Sequence, residues 1–206
     1  MAELRAYVFL DRMQPQFASL FASIGRGFLP VEGMASLFVE VQPGIEINRL
    51  ADIAVKTTNA KPGEMIVERR YGMLEIHHED QQEIIQAGNA ILAELGQVAE
   101  DRVKPQVLAT SIINKMDPYQ SVIINRNSKG MLILGGDDVY LLEVTPAAYC
   151  ALAANEAEKY CNVKLVDARL FGASGKLYLA GTESEVLAAA SKVVETLQAV
   201  EGRAGK

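Results

Sequence analysis

The sequence repeats itself at an offset of 103 residues, which is half of its 206-residue length. Shifted by this offset, Val39-Glu40-Val41 falls on Leu142-Glu143-Val144, and further matches run through both halves without a gap. Identity between the halves is low, but one constant offset that preserves the hydrophobic periodicity is hard to obtain by chance. The alternative is a coincidence in the lengths of two α/β units. The repeat predicts two similar domains, at residues 1–103 and 104–206.

Each copy mixes strand-like apolar runs with helical periodicity, which predicts the α+β class. In the first copy we expect strands at 4–10 and 36–41, a loop at 25–33, a helix from Pro43, a strand–turn–strand at 64–77, and a helix after Asp80. In the second copy we expect strands near 108–113, 121–125, 139–144, 164–170 and 176–179, a helix at about 146–161, and a last helix from Thr182. Each domain should be a mixed or antiparallel sheet with helices packed on it.

Helix signals sharpen two of these boundaries. The pairs Asp80–Glu83 and Thr182–Glu185 both have the spacing of a capping box, in which each side chain binds the backbone N–H of the other residue. A 3.6-residue period in the last helix predicts which side chains face inward. These are Leu187, Ala190, Val194 and Leu197.

Two segments lie outside the predicted elements. Residues 97–104 are polar and precede Pro105, so they are predicted to link the two domains. Residues 201–206 have no apolar periodicity, and we expect this tail to be frayed.

The charge balance excludes several functional classes. Twenty basic and 26 acidic residues give a net charge of -6, and without a Lys/Arg run we expect no nucleic-acid partner. No apolar run approaches the roughly 18 residues of a membrane span, and no signal peptide is visible. Two cysteines are too few for a disulfide scaffold, which fits a reducing cytosol. Cys150 is predicted to be a core thiol and Cys161 an inert thiol near a helix end.

A set of motifs occurs in the same order in both halves. In the second half, Leu142-Glu143-Val144 is followed by a small-residue helix, then by 159–163 (Lys-Tyr-Cys-Asn-Val), then by 171–175 (Phe-Gly-Ala-Ser-Gly). In the first half, Val39-Glu40-Val41 is followed by 56–59 (Lys-Thr-Thr-Asn). This order resembles the bacterial microcompartment shell domain. Two such domains in one chain are similar to the tandem-domain, trimer-forming shell proteins.

The strand and loop ahead of each glutamate motif would end an ordinary shell domain, but here they lead. This arrangement resembles the circularly permuted class of the family, and the carboxysomal type most closely. The resemblance implies that three chains form a pseudohexamer with true three-fold symmetry. Its implied partners are a homotrimer, a stacked pair of trimers, other hexameric shell proteins, and small polar or anionic metabolites, with no cofactor.

The resemblance also implies a pore at the three-fold axis, lined by the turn that follows the middle strand. In this sequence the turns are Glu68-Arg69-Arg70 in the first domain and Phe171-Gly172-Ala173-Ser174 in the second. Rings of charge select ions and metabolites by sign. In the carboxysomal relatives a Glu-Arg pair forms a gate, a role the resemblance gives to Glu68 and Arg69, with Arg70 favouring anions. From the residues alone, a solvated charged turn is the ordinary interpretation.

Two lysines mark the expected outer edge of the assembly. Lys56 and Lys159 lie at the ends of matching helices, where the helix dipole favours cations. The resemblance implies that these lysines, with Asn59 and Asn162, contact the neighbouring hexagon across two-fold edges.

Other candidate sites are weaker. His77 and His78 should point to opposite faces of a strand, so they are not expected to share a metal, and a solvated strand end is the ordinary interpretation. The nearby Glu75 and Glu79 leave a metal site as the alternative. No catalytic set can be assembled, so an enzyme is not predicted. The leading interpretation is a shell protein of a cytoplasmic microcompartment that conducts metabolites through a gated pore. The alternative is a trimeric small-molecule sensor of α+β fold, which would use the 25–33 loop or the inter-domain cleft.

Overall fold

The computed structural model describes residues 2–205, which form two consecutive sets of four strands and three helices. The first set is β1 Glu3–Leu10, α1 Pro15–Ile24, β2 Ala35–Gln42, α2 Ile47–Thr57, β3 Lys61–Glu68, β4 Tyr71–His78 and α3 Gln81–Leu95. The second set is β5 Gln106–Ile113, α4 Pro118–Asn127, β6 Asp138–Thr145, α5 Tyr149–Tyr160, β7 Lys164–Arg169, β8 Gly175–Gly181 and α6 Glu183–Gln198. Short 3₁₀ turns precede α2 (Gly44–Glu46) and follow α3 (Ala99–Asp101). The predicted α+β class is confirmed.

Each set of strands forms a four-stranded sheet, with orders β1-β2-β4-β3 and β5-β6-β8-β7. Every pairing is antiparallel. The irregularities of the ladder also repeat, because the bulge between Leu4 and Ala6 recurs between Val107 and Ala109. A bulge adds one residue to one strand and bends it. The sequence repeat is therefore a repeat of strand register as well as of element order.

Two helices cover one face of each sheet. Helix α3 buries Ile84, Ala87, Ile91 and Leu95 against the first sheet. The predicted inward face of α6 is wrong by one residue for most positions, because Leu187 is exposed while Val186, Ala189, Val193 and Leu197 are buried. Both sets of residues have helical spacing and both are apolar. The position of the second sheet decides between them.

Helices α1 and α4 are the largest departure from the sequence prediction. Residues 121–125 were expected to form a strand but lie inside α4, and α1 was not predicted. The β-branched run in α4 favours a strand by propensity. Asp117 and Pro118 override that preference, because the Asp117 carboxylate caps the helix and proline suits its first turn.

The expectation of a frayed tail is wrong for residues 201–203. Arg203 bridges to Val103, and its guanidinium donates to Asp101 O at 2.8 Å and to Leu4 O at 3.1 Å. It also pairs with the Glu3 carboxylate at 2.6 Å. The tail is thus held between the N-terminal strand and the linker by contacts that local sequence cannot reveal. Lys206 lies outside the described residues.

The two predicted capping boxes have different outcomes. Glu185 accepts from the backbone N–H of Thr182 at 3.0 Å and from its hydroxyl at 2.7 Å, which confirms that motif. Asp80 caps α3 by accepting from Gln82 N at 2.8 Å, but Glu83 binds elsewhere. Among the described helices, none is both long and apolar enough to cross a bilayer.

Candidate pore turns and assembly surfaces

The β3–β4 turn presents two cations at the end of the first sheet. Glu68 pairs with Tyr71 as the last rung of the ladder, which leaves Arg69 and Arg70 in the turn with exposed side chains. Arg69 has a φ of 54°, in the left-handed region that costs a non-glycine residue about 1–2 kcal/mol. No ion pair joins Glu68 to Arg69 within residues 2–205. The charged side chains of this turn are therefore exposed to solvent in the single chain.

The β7–β8 turn is the equivalent segment of the second half and has small side chains. Phe171 packs against the main core, Gly172 is buried with a φ of 104°, and Ala173 is exposed. Ser174 ends the turn by donating its hydroxyl to the Glu143 carboxylate on β6. A left-handed backbone at Gly172 explains why glycine stands there.

The two turns lie against each other within one chain. A Cβ built on Gly172 would come within 3.2 Å of Glu68 Oε2, so the Glu68 side chain extends towards the turn of the other half. This is the arrangement that neighbouring domains of a ring would have if their turns alternate around one axis.

Two equivalent glycines set the position of these turns. A Cβ on Gly72 would lie 2.2 Å from Gly44 O, and a Cβ on Gly175 would lie 2.4 Å from Ala147 O. Each contact is with the backbone that leads into the helix of the same half, so no side chain could be accommodated. In the first half, Gly44 N–H also donates to Arg70 O at 2.8 Å. Each candidate pore turn is therefore fixed to the start of a helix.

A buried ion pair lies where the two halves meet. Glu40 on β2 accepts from Arg5 Nε at 2.7 Å and from the backbone N–H of Ala148, at the start of α5, at 3.1 Å. Arg5 also stacks on the Tyr71 ring at 3.8 Å. Burial raises the pKa of the Glu40 carboxyl, while Arg5 and the amides of Ala147 and Ala148 oppose the rise. Glu40 thus joins the first sheet to a helix of the second half.

The same junction caps helix α1. Gln14 precedes α1 and gives it no side-chain hydrogen bond. Glu158 of α5 accepts instead from the backbone N–H of Gln16 at 2.7 Å and of Phe17 at 2.9 Å. Asn155 accepts from Gln14 N at 2.8 Å. A helix with no cap of its own is thus completed by the other half of the chain.

The second sheet has the matching face, but that face is open. Its open-face residues surround a cavity of about 250 Å³; they include Ala109, Ser111, Leu141, Glu143, Lys176 and Tyr178. Their counterparts in the first half are all buried: Ala6, Val8, Phe38, Glu40, Met73 and Glu75. In the first half, α5 covers this face together with α1, whose Phe17 and Phe21 rings pack on Phe38. Nothing in residues 2–205 covers it in the second half to the same extent.

Helix α2 leaves exposed a side that its counterpart α5 buries. It buries three residues, whereas its counterpart α5 buries seven, because α5 packs on both halves of the chain. Ile45, just before α2, is 67% exposed, but its counterpart Ala148 is fully buried. Within one chain, α5 packs on the first sheet, whereas the exposed side of α2 and the open face of the second sheet have no such contact.

The predicted edge lysines lie at the ends of α2 and α5. Lys56 pairs with Asp52 at 2.7 Å and is largely exposed. Lys159 is more enclosed, with Glu156 at 3.6 Å and Asp11 of the other half at 3.9 Å. Lys56 is consequently the more available of the two for a contact outside the chain.

The two asparagines bind within their own domains. Asn59 donates to Glu83 Oε1 at 3.1 Å, and its backbone N–H donates to Glu83 Oε2 at 2.7 Å. These bonds lower the pKa of Glu83 and explain why it does not complete the capping box. Asn162 donates to Glu185 at 2.9 Å. Both asparagines thus hold the loop after the lysine in place.

A pair of loops exposes apolar side chains at equivalent positions. These apolar loops are residues 28–31 and 131–134, and their exposed members are Phe28, Leu29, Val31, Met131, Leu132 and Leu134. Each apolar loop is pinned to the outer strand of its own sheet, as Phe28 N–H donates to Pro62 O and Met131 N–H to Leu165 O. Isolated exposed apolar residues are common, but a duplicated set of them is an apolar surface of the kind that occurs at interaction sites.

The histidine region differs from its prediction. Glu75 and His77 are buried, not solvated, with His77 Nδ1 at 3.2 Å from both Glu75 oxygens and Ser36 Oγ donating to Glu75 at 2.5 Å. Burial raises the pKa of Glu75, and the bonds to His77 and Ser36 oppose the rise. Helix α1 and the loop that follows it lie over Glu75 and His77 and exclude solvent from them. No group of three metal-ligand side chains occurs within the described residues.

The thiols lie where they were predicted. Cys150 is fully buried and Cys161 follows the last residue of α5. Burial raises the pKa of both thiols. Sequence reasoning did not identify the junction residues Arg5, Asn155 and Glu158. A signal was available for two of them, because at the 103-residue offset Arg5 corresponds to Leu108 and Glu158 to Val55.

Comparisons with known proteins agree with this architecture. A family described as the CsoS1D N-terminal domain matches residues 4–101. The chain is 43% identical to the carboxysome shell protein CcmP of Synechococcus elongatus, over 98% of this chain and 94% of that protein. It is 46% identical to the carboxysome shell protein CsoS1D of Hydrogenovibrio crunogenus, over 96% and 97% of the two chains.

Solved structures give the same result. The fused permuted hexameric shell protein MSM0275 of the RMM microcompartment superposes with a TM-score of 0.93 at 41% identity, over 97% of this chain and all of that one. The double-ringed trimeric shell protein MSM0271 of the same compartment superposes with a TM-score of 0.94 at 39% identity, over the whole of both chains. The chain belongs to the family of tandem-domain, circularly permuted microcompartment shell proteins that includes CcmP and CsoS1D.

Proposed function

We propose that this protein is a structural shell component that assembles as a homotrimer and conducts small metabolites through a gated central pore. The observation that carries the proposal is the face of the second sheet around Glu143, which is open although its counterpart around Glu40 is covered. A second copy that placed its α2 on this face would repeat the contact that α5 makes within the chain. The family relative MSM0271 is a trimer, so we expect the repeated contact to close at three chains.

The two kinds of junction would be chemically distinct. Within the chain, Glu158 caps α1, but the corresponding residue of α2 is Val55. Helix α4 needs no cap from a partner, because Asp117 accepts from Tyr119 N at 2.8 Å. The junction between chains would therefore lack the glutamate cap that α1 receives within the chain. This difference supports a ring in which first and second domains alternate.

The proposed domains are residues 1–103 and 104–206. Val103 forms the bridge to Arg203, and Lys104 N–H donates to Arg203 O at 2.8 Å. The proposed boundary thus lies where the end of the second half returns to the start of its own first strand.

We place the pore at the two adjoining turns. Three copies of Glu68, Arg69 and Arg70 would alternate there with three copies of the small-residue turn 171–174. Opposite charges can pair across the axis and close it, and the small side chains leave room for them to swing apart. Arginine side chains that are not paired with a carboxylate would favour the passage of anionic metabolites.

A pore measurement tests the gate separately from the shell role. Glu68→Ala should remove the carboxylate that pairs across the axis and should widen the narrowest part of the pore. An unchanged pore diameter in crystals of the wild type and this variant would contradict the gate and leave the shell role intact. Glu79→Ala, which removes an exposed carboxylate outside the turns, is the matched control.

The outer edge is proposed to carry the contacts with neighbouring hexagons and other hexameric shell proteins. Lys56 and Lys159 would contact the next hexagon, with Asn59 and Asn162 holding the adjoining loops. Replacing both lysines by alanine should abolish flat sheets in negative-stain micrographs while the trimer persists. Sheets of normal extent in that variant would contradict the role of the lysines.

The apolar loops favour face-to-face stacking of two trimers. Equivalent positions in a ring lie at the same height, so a trimer would present six such loops on one side. The relative MSM0271 is double-ringed. Replacing Leu29 and Leu132 by serine should convert a six-chain particle into a three-chain particle, and an unchanged mass would contradict stacking through these loops.

The trimer itself is tested by a charge on the open face. Ala109→Glu places a carboxylate where the counterpart Ala6 is fully buried, so it should block assembly. Leu187→Glu places the same charge on an exposed position of α6 and should leave assembly intact. Sedimentation velocity reads the mass of both. A wild type that stays monomeric would contradict the proposed assembly, whereas a trimer that binds one metabolite tightly without forming sheets would favour the sensor alternative.

A further inference from the structure

Two glutamates at equivalent positions have different partners. Glu40 is buried and is held by the Arg5 guanidinium and by the Ala148 backbone N–H. Glu143, 103 residues later, is part-exposed and accepts from the Ser174 hydroxyl. The position that corresponds to Arg5 is Leu108, whose apolar side chain cannot donate. Glu143 therefore has a hydroxyl donor where Glu40 has a cationic one.

That hydroxyl belongs to the candidate pore turn. Ser174 stands at the position of Tyr71 in the first half and is the last residue of the turn 171–174. Its hydroxyl donates a hydrogen bond to Oε1 of Glu143, while Oε2 has no hydrogen-bond partner within residues 2–205. Glu143 thus joins the pore turn to the open face, with one oxygen still available.

The 103-residue repeat identifies the backbone donor that Glu40 has and Glu143 lacks. The residue that corresponds to Ala148 is Ile45, whose backbone N–H finds no acceptor among the hydrogen bonds of the described residues. Its neighbours are satisfied, since Gly44 N–H donates to Arg70 O and Glu46 N–H donates to Pro43 O. An unpaired N–H at the start of a helix favours an anionic partner.

We infer that Glu143 accepts the Ile45 N–H of a second copy while it holds Ser174, so that subunit docking and the order of the pore turn are coupled. The inference rests on the proposed trimer. Docking would bury the Glu143 carboxylate without an ion pair, because its cross-strand neighbour Lys176 shares the open face but forms no salt bridge with it among the described residues. The carboxylate therefore needs the hydrogen-bond donors that are available. A pore turn that withdraws Ser174 would weaken docking, and docking would in turn hold Ser174, because thermodynamic coupling is reciprocal.

Ser174→Ala tests this coupling without removing any proposed intersubunit contact. It should weaken each of the three junctions of the trimer about tenfold, as expected for the loss of one hydrogen bond to a charged group. Ser174→Thr keeps the hydroxyl and should restore wild-type assembly. Glu143→Gln should weaken assembly as well, whereas Glu195→Gln, an exposed carboxylate on α6, should not. Sedimentation velocity over a concentration series measures all five proteins.

A second readout separates coupling from a general loss of stability. Hydrogen exchange of the amides 171–175 should slow in the wild type as the trimer forms, and should stay fast in trimeric Ser174→Ala. Equal dissociation constants and equal exchange in the wild type and Ser174→Ala would overturn the coupling while the trimer stands. A wild type that is monomeric at every concentration would instead overturn the proposed assembly.

Discussion

The carboxylate of Glu68 lies against the backbone of Gly172, where an added Cβ would come within 3.2 Å of Glu68 Oε2. These residues belong to the two turns that we place at the pore, so the turn of one half limits the side chain that the other can carry. The φ of 104° at Gly172 adds a second restriction, because an L-residue is strained there whatever the space.

Gly172→Ala should therefore lower the free energy of unfolding by about 1–2 kcal/mol. Most of the loss should come from the backbone, because the flexible Glu68 side chain can move away. Adding Glu68→Ala to this variant should accordingly recover little stability. Urea unfolding of the three proteins measures this, and full recovery in the double variant would show that the side-chain contact dominates.

The Arg5–Glu40 pair should be costly to break from one side. Arg5→Ala leaves a buried carboxylate without its cation, and we expect a loss of about 3 kcal/mol in the free energy of unfolding. The double variant Arg5→Met with Glu40→Gln removes both charges and should be much closer to the wild type. Unfolding at one fixed protein concentration keeps assembly from distorting the comparison. Equal losses in the two variants would mean that the buried charge is not the cause.

Glu75 should make stability depend on pH. Its carboxyl has an ordinary pKa of 4.5, and burial raises the pKa in the folded protein. The folded state then holds the proton more tightly than the unfolded state. The stabilising contribution of this group is complete below pH 4.5 and is lost as the pH rises through the folded-state pKa.

Glu75→Gln cannot ionise, so its free energy of unfolding should fall less steeply with pH than that of the wild type. Urea unfolding in buffers from about pH 4 to 8 gives both slopes. Glu79→Gln, an exposed carboxylate at the end of the same strand, should keep the wild-type slope. Parallel curves for Glu75→Gln and the wild type would rule out Glu75 as the titrating group.

The two thiols should differ in reactivity. Burial raises the pKa of Cys150, whose Sγ donates to Lys176 O at 3.1 Å, so it should react with iodoacetamide only when the protein unfolds. Cys161 is partly accessible and should react first. Mass spectrometry of the native protein reads both sites, and Cys161→Ser should remove the early product. Early modification of Cys150 in native protein would contradict the burial argument.

The sequence predicted most elements because the repeat and the hydrophobic periodicity are local properties. It failed where tertiary contacts override local preference. The Val122-Ile123-Ile124 run reads as a strand but forms a helix, and either of two apolar stripes could have been the inner face of α6. The buried Glu75 is a similar case, since the sequence around it gave no sign of the helix and loop that cover it.

The candidate site divides in the same way. The turns at 68–70 and 171–174 could be located from the sequence because they occupy equivalent positions in the repeat. Their contact could not, because Glu68 meets Gly172 only when the two halves pack together. Likewise, the matching glutamates were visible in the sequence, but the covering of Glu40 and the openness of Glu143 were not.

The sequence by itself determined that this protein is two copies of one α+β unit with unlike turns at one equivalent position. Only the tertiary structure decided which surfaces of those copies are satisfied and which are left for a second chain. The physical reason is that periodicity specifies that an apolar face exists, whereas burial depends on what packs against it. Here α5 and α1 cover one face of the first sheet, and the corresponding face of the second sheet remains open.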